Sequence, residues 1–406
     1  MAVFRGGATL EAAEAVADAD LDTIQSLVDK SLFRVRDAGR FWMLDTIREF
    51  AVERLTASAE ADELRRRHAD YYLDLLRRIA PLFGTDTMAW LARIEPEHDN
   101  LRAAIDWLAA SGHHELQQRL AGELAEFWYL RGHLAEGRAR LSAALAADGR
   151  RTAARASALN GAAFLSIEGG GEAIAARQQA EEALSIYEDL GDEWGIAYSH
   201  LTIAEALSDA AEWEEARLTY EESRRRFAAL GDDFHVLLAT RLLAWMHFEL
   251  GEFAEARAIH EENLERARQV GNVRIVGTTL GALGEYDLRE GNLVPAATKL
   301  RQAYRIFRDL EHPLEVAVEL VRFAWLLARA GHAEAGAEVF GRCLLHYEEM
   351  QAPIPAWVRP MHDDCVGEIR AQIDEPTYEA ALERGRVLTL DDVETLVREA
   401  VTPAAD

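Results

Sequence analysis

Along most of the chain apolar residues fall at helical spacing. The pattern is least interrupted between Pro96 and Pro295, a stretch of 198 residues without a proline that is rich in Ala, Leu, Glu and Arg. Proline lacks the N–H a helix interior needs and clashes with the preceding turn, so such a stretch predicts helix after helix. Two ladders of turn residues divide it. Gly191, Gly231 and Gly271 close the phrases LGD, LGD and VGN at a period of 40, and Leu310-Glu311-His312 continues the phrase without its glycine. Ala211, Gly251, Gly291 and Gly331 form a second ladder at the same period, with Gly169 to Gly171 as the earlier rung. Small residues recur between the rungs at Ala176, Ala216, Ala256, Ala296 and Gly336. Large ones recur at Tyr187, Phe227, Phe307 and Tyr347, with Ala267 the exception, and an apolar column closes each unit at Leu190, Leu230, Val270, Leu310 and Met350. Glycine supplies the left-handed conformation that ends a helix. Each unit is therefore two helices and two turns. One unit cannot bury its apolar face alone, so the units stack into a solenoid.

In LGEYDLREGNLVPAA, Leu283 and Gly284 precede Gly291 by eight and seven residues, and Ala296 follows it by five. These spacings resemble the small-residue, turn-glycine and alanine positions of tetratricopeptide (TPR) repeats. The period of 40 exceeds that family's 34, and longer helices account for the difference. HEAT-like repeats have a similar period without this small-residue spacing and rank second. The expected fold class is all-α, a TPR-like helical-repeat solenoid over residues 151–351, followed by a helical cap and tail over 352–406. Residues 58–150 are an irregular helical region holding the first helical pairs.

Residues 1–57 read differently. Leu32-Phe33-Arg34-Val35-Arg36 and Arg40-Phe41-Trp42-Met43-Leu44 flank Asp37-Ala38-Gly39, which predicts a β-hairpin. Helical patterns lie on either side in TIQSLVDKSL and DTIREFAVERL, the second with Asp45 as its expected N-cap. Helix, helix, hairpin, helix is a winged-helix arrangement, here a small remnant with one hairpin. The segments LVDKSLF, FWMLDTIREFAVERL, RRRHADYYLDLL, WLARIEPEHDNLRAAIDWL and FWYLRGHLAEGRARL, with the tail YEAALERGRVLTLDDVETLV, resemble consecutive landmarks of bacterial predicted ATPases and LuxR- or AfsR-like regulators of the STAND class, relatives of NB-ARC proteins. The resemblance implies a nucleotide-binding domain, a winged helix and helical repeats in that order. No GxxxxGK[ST] loop occurs here, so no ATPase activity is expected of this chain. The family's Met-His-Asp nucleotide contact corresponds to Met43-Leu44-Asp45, where leucine has no side-chain donor for phosphate.

Charge narrows the function classes. Lys and Arg number 44 against 71 Asp and Glu, a net charge of −27. A chain this acidic repels phosphate backbones and anionic membranes. No uncharged apolar run reaches 18 residues, so no membrane helix is expected. Cys343 and Cys365 are too few for a disulfide framework and fit a reducing, cytoplasmic setting. Zinc-ligand spacings and GxSxG are absent. His362-Asp363-Asp364-Cys365 reads as solvated surface, and His260 and Cys343 read as packed repeat positions. No catalytic, metal or cofactor site is expected. Residues 1–57 carry seven basic and ten acidic residues, which disfavours DNA binding by Arg34, Arg36 and Arg40. Arg65-Arg66-Arg67 and Arg77-Arg78 read as salt-bridged helix faces.

The remaining candidate is the concave side of the array, lined by the first helix of each pair. Inward-facing columns are Glu205, Trp245, Glu285, Trp325; then Leu201, Arg241, Gly281, Val321; then Asp209, Glu249, Arg289, Arg329. Tryptophan and arginine on a groove are common binding anchors. Glu205, Arg241, Trp245, Glu285, Arg289, Trp325 and Arg329 are therefore the candidate partner-binding residues. The competing reading puts Trp245 and Trp325 in the inter-repeat core. The function expected is a sensor or scaffold arm of a STAND-type regulator that binds a protein, peptide or small effector and acts on a separate nucleotide-binding partner. A free-standing TPR-like adaptor is the alternative.

Overall fold

The computed structural model describes residues 1–36, 39–170 and 173–401. Helices α1 (Leu10–Ala17) and α2 (Leu21–Asp29) precede strands β1 (Phe33–Arg36) and β2 (Arg40–Met43), and α3 (Asp45–Thr56) follows. The strands pair antiparallel, with Phe33 opposite Met43 and Val35 opposite Phe41. The Asp37-Ala38 part of the expected turn lies outside the described residues. Asp45 is the first residue of α3 rather than its cap; Leu44 occupies the cap position and contributes no side-chain bond.

An irregular layer follows: α4 (Ala61–Ile79), α5 (Leu82–Thr85), α6 (Thr87–Ile94) and α7 (His98–Ala110). It is tied to the hairpin through Glu97. That carboxylate accepts from Arg40 of β2 at 3.2 Å, from Tyr72 of α4 at 2.7 Å and from Asn100 of α7 at 2.8 Å. With Arg40 so paired, the hairpin arginine placed for phosphate contact is already neutralised. The basic runs are salt-bridged as expected: Arg66 bonds Glu63 and Asp70, Arg67 bonds Asp18, and Arg78 bonds Glu11.

Regular pairing begins with α8 (His114–Glu123) and α9 (Ala125–Leu130), which together span one repeat helix broken at Leu124, and with α10 (Leu134–Ala147). Five full pairs follow: α11 (Ala153–Glu168) with α12 (Ala173–Leu190), α13 (Glu193–Asp209) with α14 (Trp213–Leu230), α15 (Asp233–Glu249) with α16 (Phe253–Val270), α17 (Val273–Arg289) with α18 (Leu293–Asp309), and α19 (Pro313–Arg329) with α20 (Ala333–Glu349). The protein is a TPR-like helical solenoid whose only described sheet is the two-stranded hairpin.

The LGD phrase has a simple mechanical meaning. Gly231 and Gly271 take φ of +72° and +80° and end their helices. The next residue then caps the following helix, as when Asp232 accepts from the His235 amide and Asn272 from the Ile275 amide. Where the glycine is missing, Glu311 adopts φ +49°, a conformation that costs a side-chain-bearing residue about 1 kcal/mol. The small column is fully buried at Ala216, Ala256 and Ala296. Buried polar side chains staple neighbouring helices at a fixed offset of 26 residues: Ser223 donates to the Ala197 carbonyl, Asn263 to that of Leu237, and Cys343 to that of Ala317. The closing apolar column behaves otherwise. Leu190, Leu230 and Val270 are exposed at the outer helix ends, and Leu310 is buried where Tyr129 and Arg131 cover its turn.

That covering closes the array. Arg131, just past α9, donates to the Leu310 carbonyl at 2.7 Å, and Tyr129 packs edge-on against His312 at 4.8 Å between ring centroids. Asn272 donates to the Gly84 carbonyl of α5 at 2.9 Å. The first helical pair thus touches a turn four units later, α5 touches a nearer one, and the concave face becomes a bridged channel. The accessible surface of 17760 Å² lies near the about 15,800 Å² expected of a compact protein of 45.3 kDa.

The last helices, α21 (Arg359–Arg370), α22 (Glu375–Gly385) and α23 (Leu390–Val401), cover the end of the array. Gly385 approaches so closely that a Cβ there would lie 1.8 Å from the Glu338 carbonyl oxygen of α20. His362, expected on the solvated surface, is buried against Phe340 at 5.2 Å because α21 packs on the array. Enclosed on all sides, α19 is buried from Leu314 to Ala328. Phe323→Ala in that helix should lower the unfolding free energy by about 3–5 kcal/mol in urea denaturation. Leu218→Ala at an exposed position should change it by less than about 0.5 kcal/mol. A loss under about 1 kcal/mol at Phe323 would contradict its place in the core.

Candidate binding chambers on the concave face

Two cavities occupy the closed channel. The inner one, of about 140 Å³, is lined by α11, α13, α15, α17 and α19 and closed by Tyr129 on one side and by Trp357 and Met361 on the other. The outer one, of about 800 Å³, lies between α4–α5 and the first turns of α13 and α15. Glu126 lines the outer chamber and Tyr129 the inner. Arg274 joins them, 3.5 Å from the Glu126 carboxylate and with its guanidinium 5.4 Å from the Tyr129 ring.

Of the sequence candidates, Glu205, Arg241, Trp245, Glu285 and Arg289 come together as lining of the inner chamber. Trp325 does not reach it. It is buried beneath Arg289, whose guanidinium lies 4.7 Å from the indole centroid. Arg329 lies outside the lining, 3.8 Å from Glu368 of α21.

Several charges in the chamber satisfy one another. Arg322 donates to Glu319 at 2.6 Å and to Glu285 at 3.2 Å. Arg289 donates to Glu285 and to Asp364 of α21, each at 3.0 Å. Glu249 accepts the Trp245 indole N–H at 2.8 Å. Others remain unsatisfied. Among the described residues, Glu205, Glu315 and Arg241 form no hydrogen bond or ion pair, Asp209 Oδ1 is buried without a partner, and the buried Glu168 carboxyl has only the Trp357 side chain acting on it as a donor. Burial, reinforced by the Glu315 charge, pushes the Glu168 carboxyl up to about 8. Burial and then Glu168 push Glu205 well above the usual carboxylate range. His260, which lines the same wall, is driven down to about 3 by burial and by Arg241 and Arg322, so it contributes no positive charge at neutral pH.

The outer chamber has a mainly aromatic wall. Trp194 and Tyr198 stack at 5.1 Å, and Asp232 accepts from Trp194 Nε1 at 3.0 Å while facing His235 Nδ1 at 2.7 Å. Phe83 and Trp90 of the N-terminal layer form the opposite side. Sequence columns could not show this chamber, because half of its wall comes from the irregular helices. Trp357 was missed for the same reason. Glu168 was missed because the repeat slips by one residue at the Gly169 rung, which takes it out of step with the Asp209 column. Among the described residues no group of three His, Cys, Asp or Glu is placed to hold a metal ion, and no helix is long and apolar enough to cross a membrane.

A tetratricopeptide repeat model matches residues 235–309, which span α15 to α18. A protein of Mycobacterium tuberculosis named "Putative HTH-type transcriptional regulator Rv0890c" is 37% identical over 211 residues, and its Mycobacterium bovis counterpart matches equally. The match takes in 47% of this chain and 24% of the length of those relatives. The structure of a Rap protein complexed with Competence and Sporulation Factor superposes over 84% of this chain and 99% of its own, with a TM-score of 0.57 at 13% identity. That likeness is one of fold.

The Glu168 environment predicts a pH response. Its carboxyl titrates near 8 in the folded chain against an ordinary 4.5. Between those values the folded state holds a proton that the unfolded chain has released, so stability falls as pH rises. Glu168→Gln should therefore gain stability relative to the parent from pH 5 to 8, measured by urea denaturation. The same difference at every pH would contradict the buried, protonated carboxyl.

Proposed function

We propose that this chain is the sensor arm of a transcriptional or signalling regulator of the STAND type, and that it works by binding an effector, a peptide, protein segment or small molecule, in the closed concave channel. The observation that carries this reading is the inner chamber itself. A solenoid needs no internal cavity for stability, and unpartnered carboxylates and a guanidinium inside one cost folding free energy. Groups kept at that cost at the centre of a concave face suit a ligand that completes them. The identity with regulators named as HTH-type transcriptional proteins supports the regulatory setting. The fold shared with a Rap protein complexed with Competence and Sporulation Factor supports binding by such a scaffold.

In this reading residues 1–57 are a winged-helix remnant that transmits the effector signal to a nucleotide-binding partner, and residues 352–406 cap the array. The chain is not itself a catalyst. Effector binding tightens contacts that span the channel, among them Arg131 to Leu310 and Trp357 to Trp245, whose rings lie 6.2 Å apart. That change is what a partner domain would sense.

Ala282 lines the inner chamber and is half-buried, so Ala282→Trp fills the chamber from within. Fractions of small molecules and peptides from the host should include one that raises the melting temperature of the parent by several degrees and leaves the filled variant unmoved. No active fraction, or an equal shift in both proteins, would contradict an effector site in this chamber.

A further inference from the structure

We propose that the inner chamber is a site for an organic cation: a protonated amine or guanidinium on a slender apolar stem, belonging either to a free small amine or to a basic side chain of a peptide. The proposal rests on the sensor reading and names the class of its effector.

The pairing within the chamber leaves a defined remainder. Glu249, Glu285, Arg289 and Arg322 are spent on one another, on Trp245, on Glu319 behind the wall or on α21. Arg274 is held by Glu126. What remains without an ion pair is Glu168, Glu205, Asp209 and Glu315 against Arg241, with Arg274 and Arg322 acting on this group only at longer range. Glu315 is the most telling of these. It is 8% exposed, lines the chamber, and has no hydrogen bond or ion pair among the described residues. Arg322 and Arg274 act on it only at longer range, so this carboxylate lacks the contact partner that ordinarily accompanies an enclosed charge. His260 is 1% exposed on the same wall, and its Nδ1 is also without a partner.

The complementary ligand is positively charged, since six carboxyl side chains line the chamber against the three guanidinium groups of Arg241, Arg289 and Arg322. The walls limit its shape. Trp245, Trp357 and Tyr129 present ring surface, which favours a weakly hydrated cation and packs against an alkyl stem. The volume of about 140 Å³ is comparable to an engineered cavity that accepts benzene, so it admits a head group and a short stem. The raised affinity of Glu168 and Glu205 for protons, caused first by burial and then by neighbouring carboxyls, shows the same preference for positive charge.

The test is calorimetric titration of the full chain with agmatine and putrescine as free cations, and with a blocked Gly-Arg-Gly peptide as the peptide source. Butylurea and the citrulline peptide serve as neutral counterparts. At least one cation should bind, with its neutral counterpart at least ten-fold weaker, and Glu315→Gln should weaken that cation at least ten-fold while the melting temperature holds or rises. Whichever of the two cation types binds identifies the source. The neutral counterparts need no variant, and Glu205→Gln provides a second substitution should Glu315→Gln fail to fold. Absence of binding by every cation up to about 10 mM, equal binding of the neutral counterparts, or unchanged affinity in the glutamine variants would overturn the proposal. An extract fraction blocked by Ala282→Trp, with no response to these cations, would overturn it while leaving the sensor reading standing.

Discussion

The contact between the first helical pair and the turn at Leu310–His312 sets the character of this molecule. An open solenoid offers a broad, wet groove. Here Tyr129 and Arg131 reach across that groove to a turn four units later, and the helices that follow the array seal it from the other end. Enclosure lowers the effective dielectric around the concave charges and so raises the cost of every one left unpaired. The inner chamber, its perturbed carboxyls and its suitability for a ligand all follow from that closure.

Closure in turn depends on the regularity of the unit. The left-handed residue at each turn and the Asp or Asn cap behind it fix the angle between successive helices. The buried alanine column lets helices approach, and the bonds from Ser223, Asn263 and Cys343 hold each pair against the next. With a constant step per unit, the superhelix returns on itself after a fixed number of repeats. Helices of 17 and 18 residues make a deeper wall than the shorter TPR unit would.

The repeat logic was open to reading in the sequence because it is periodic: glycines 40 apart need no structure to be seen, nor does the inward position of Glu205, Arg241, Trp245, Glu285 and Arg289. Periodicity also marked its own limits. It placed Trp325 in the same column as Trp245, but α21 packs on α19 and buries this last inner helix, whereas the earlier one faces the cavity. It gave no hint of Trp357, Met361 or Tyr129, which close the chamber from non-repeating or broken helices. Nor did it show that Leu190 and Leu230 would be exposed while Leu310 would be covered, since that difference arises from a contact between distant parts of the chain. Local pattern determines the unit, and long-range closure determines the site.

The most direct measure of the central claim is the solution dimension of the chain. Small-angle X-ray scattering should give a radius of gyration within a few ångströms of the about 22 Å expected for a compact chain of 406 residues, with a single-peaked distance distribution. A value of about 30 Å or more, with the long tail of an extended superhelix, would mean that the first pair does not meet the Leu310–His312 turn and that the concave face is not closed.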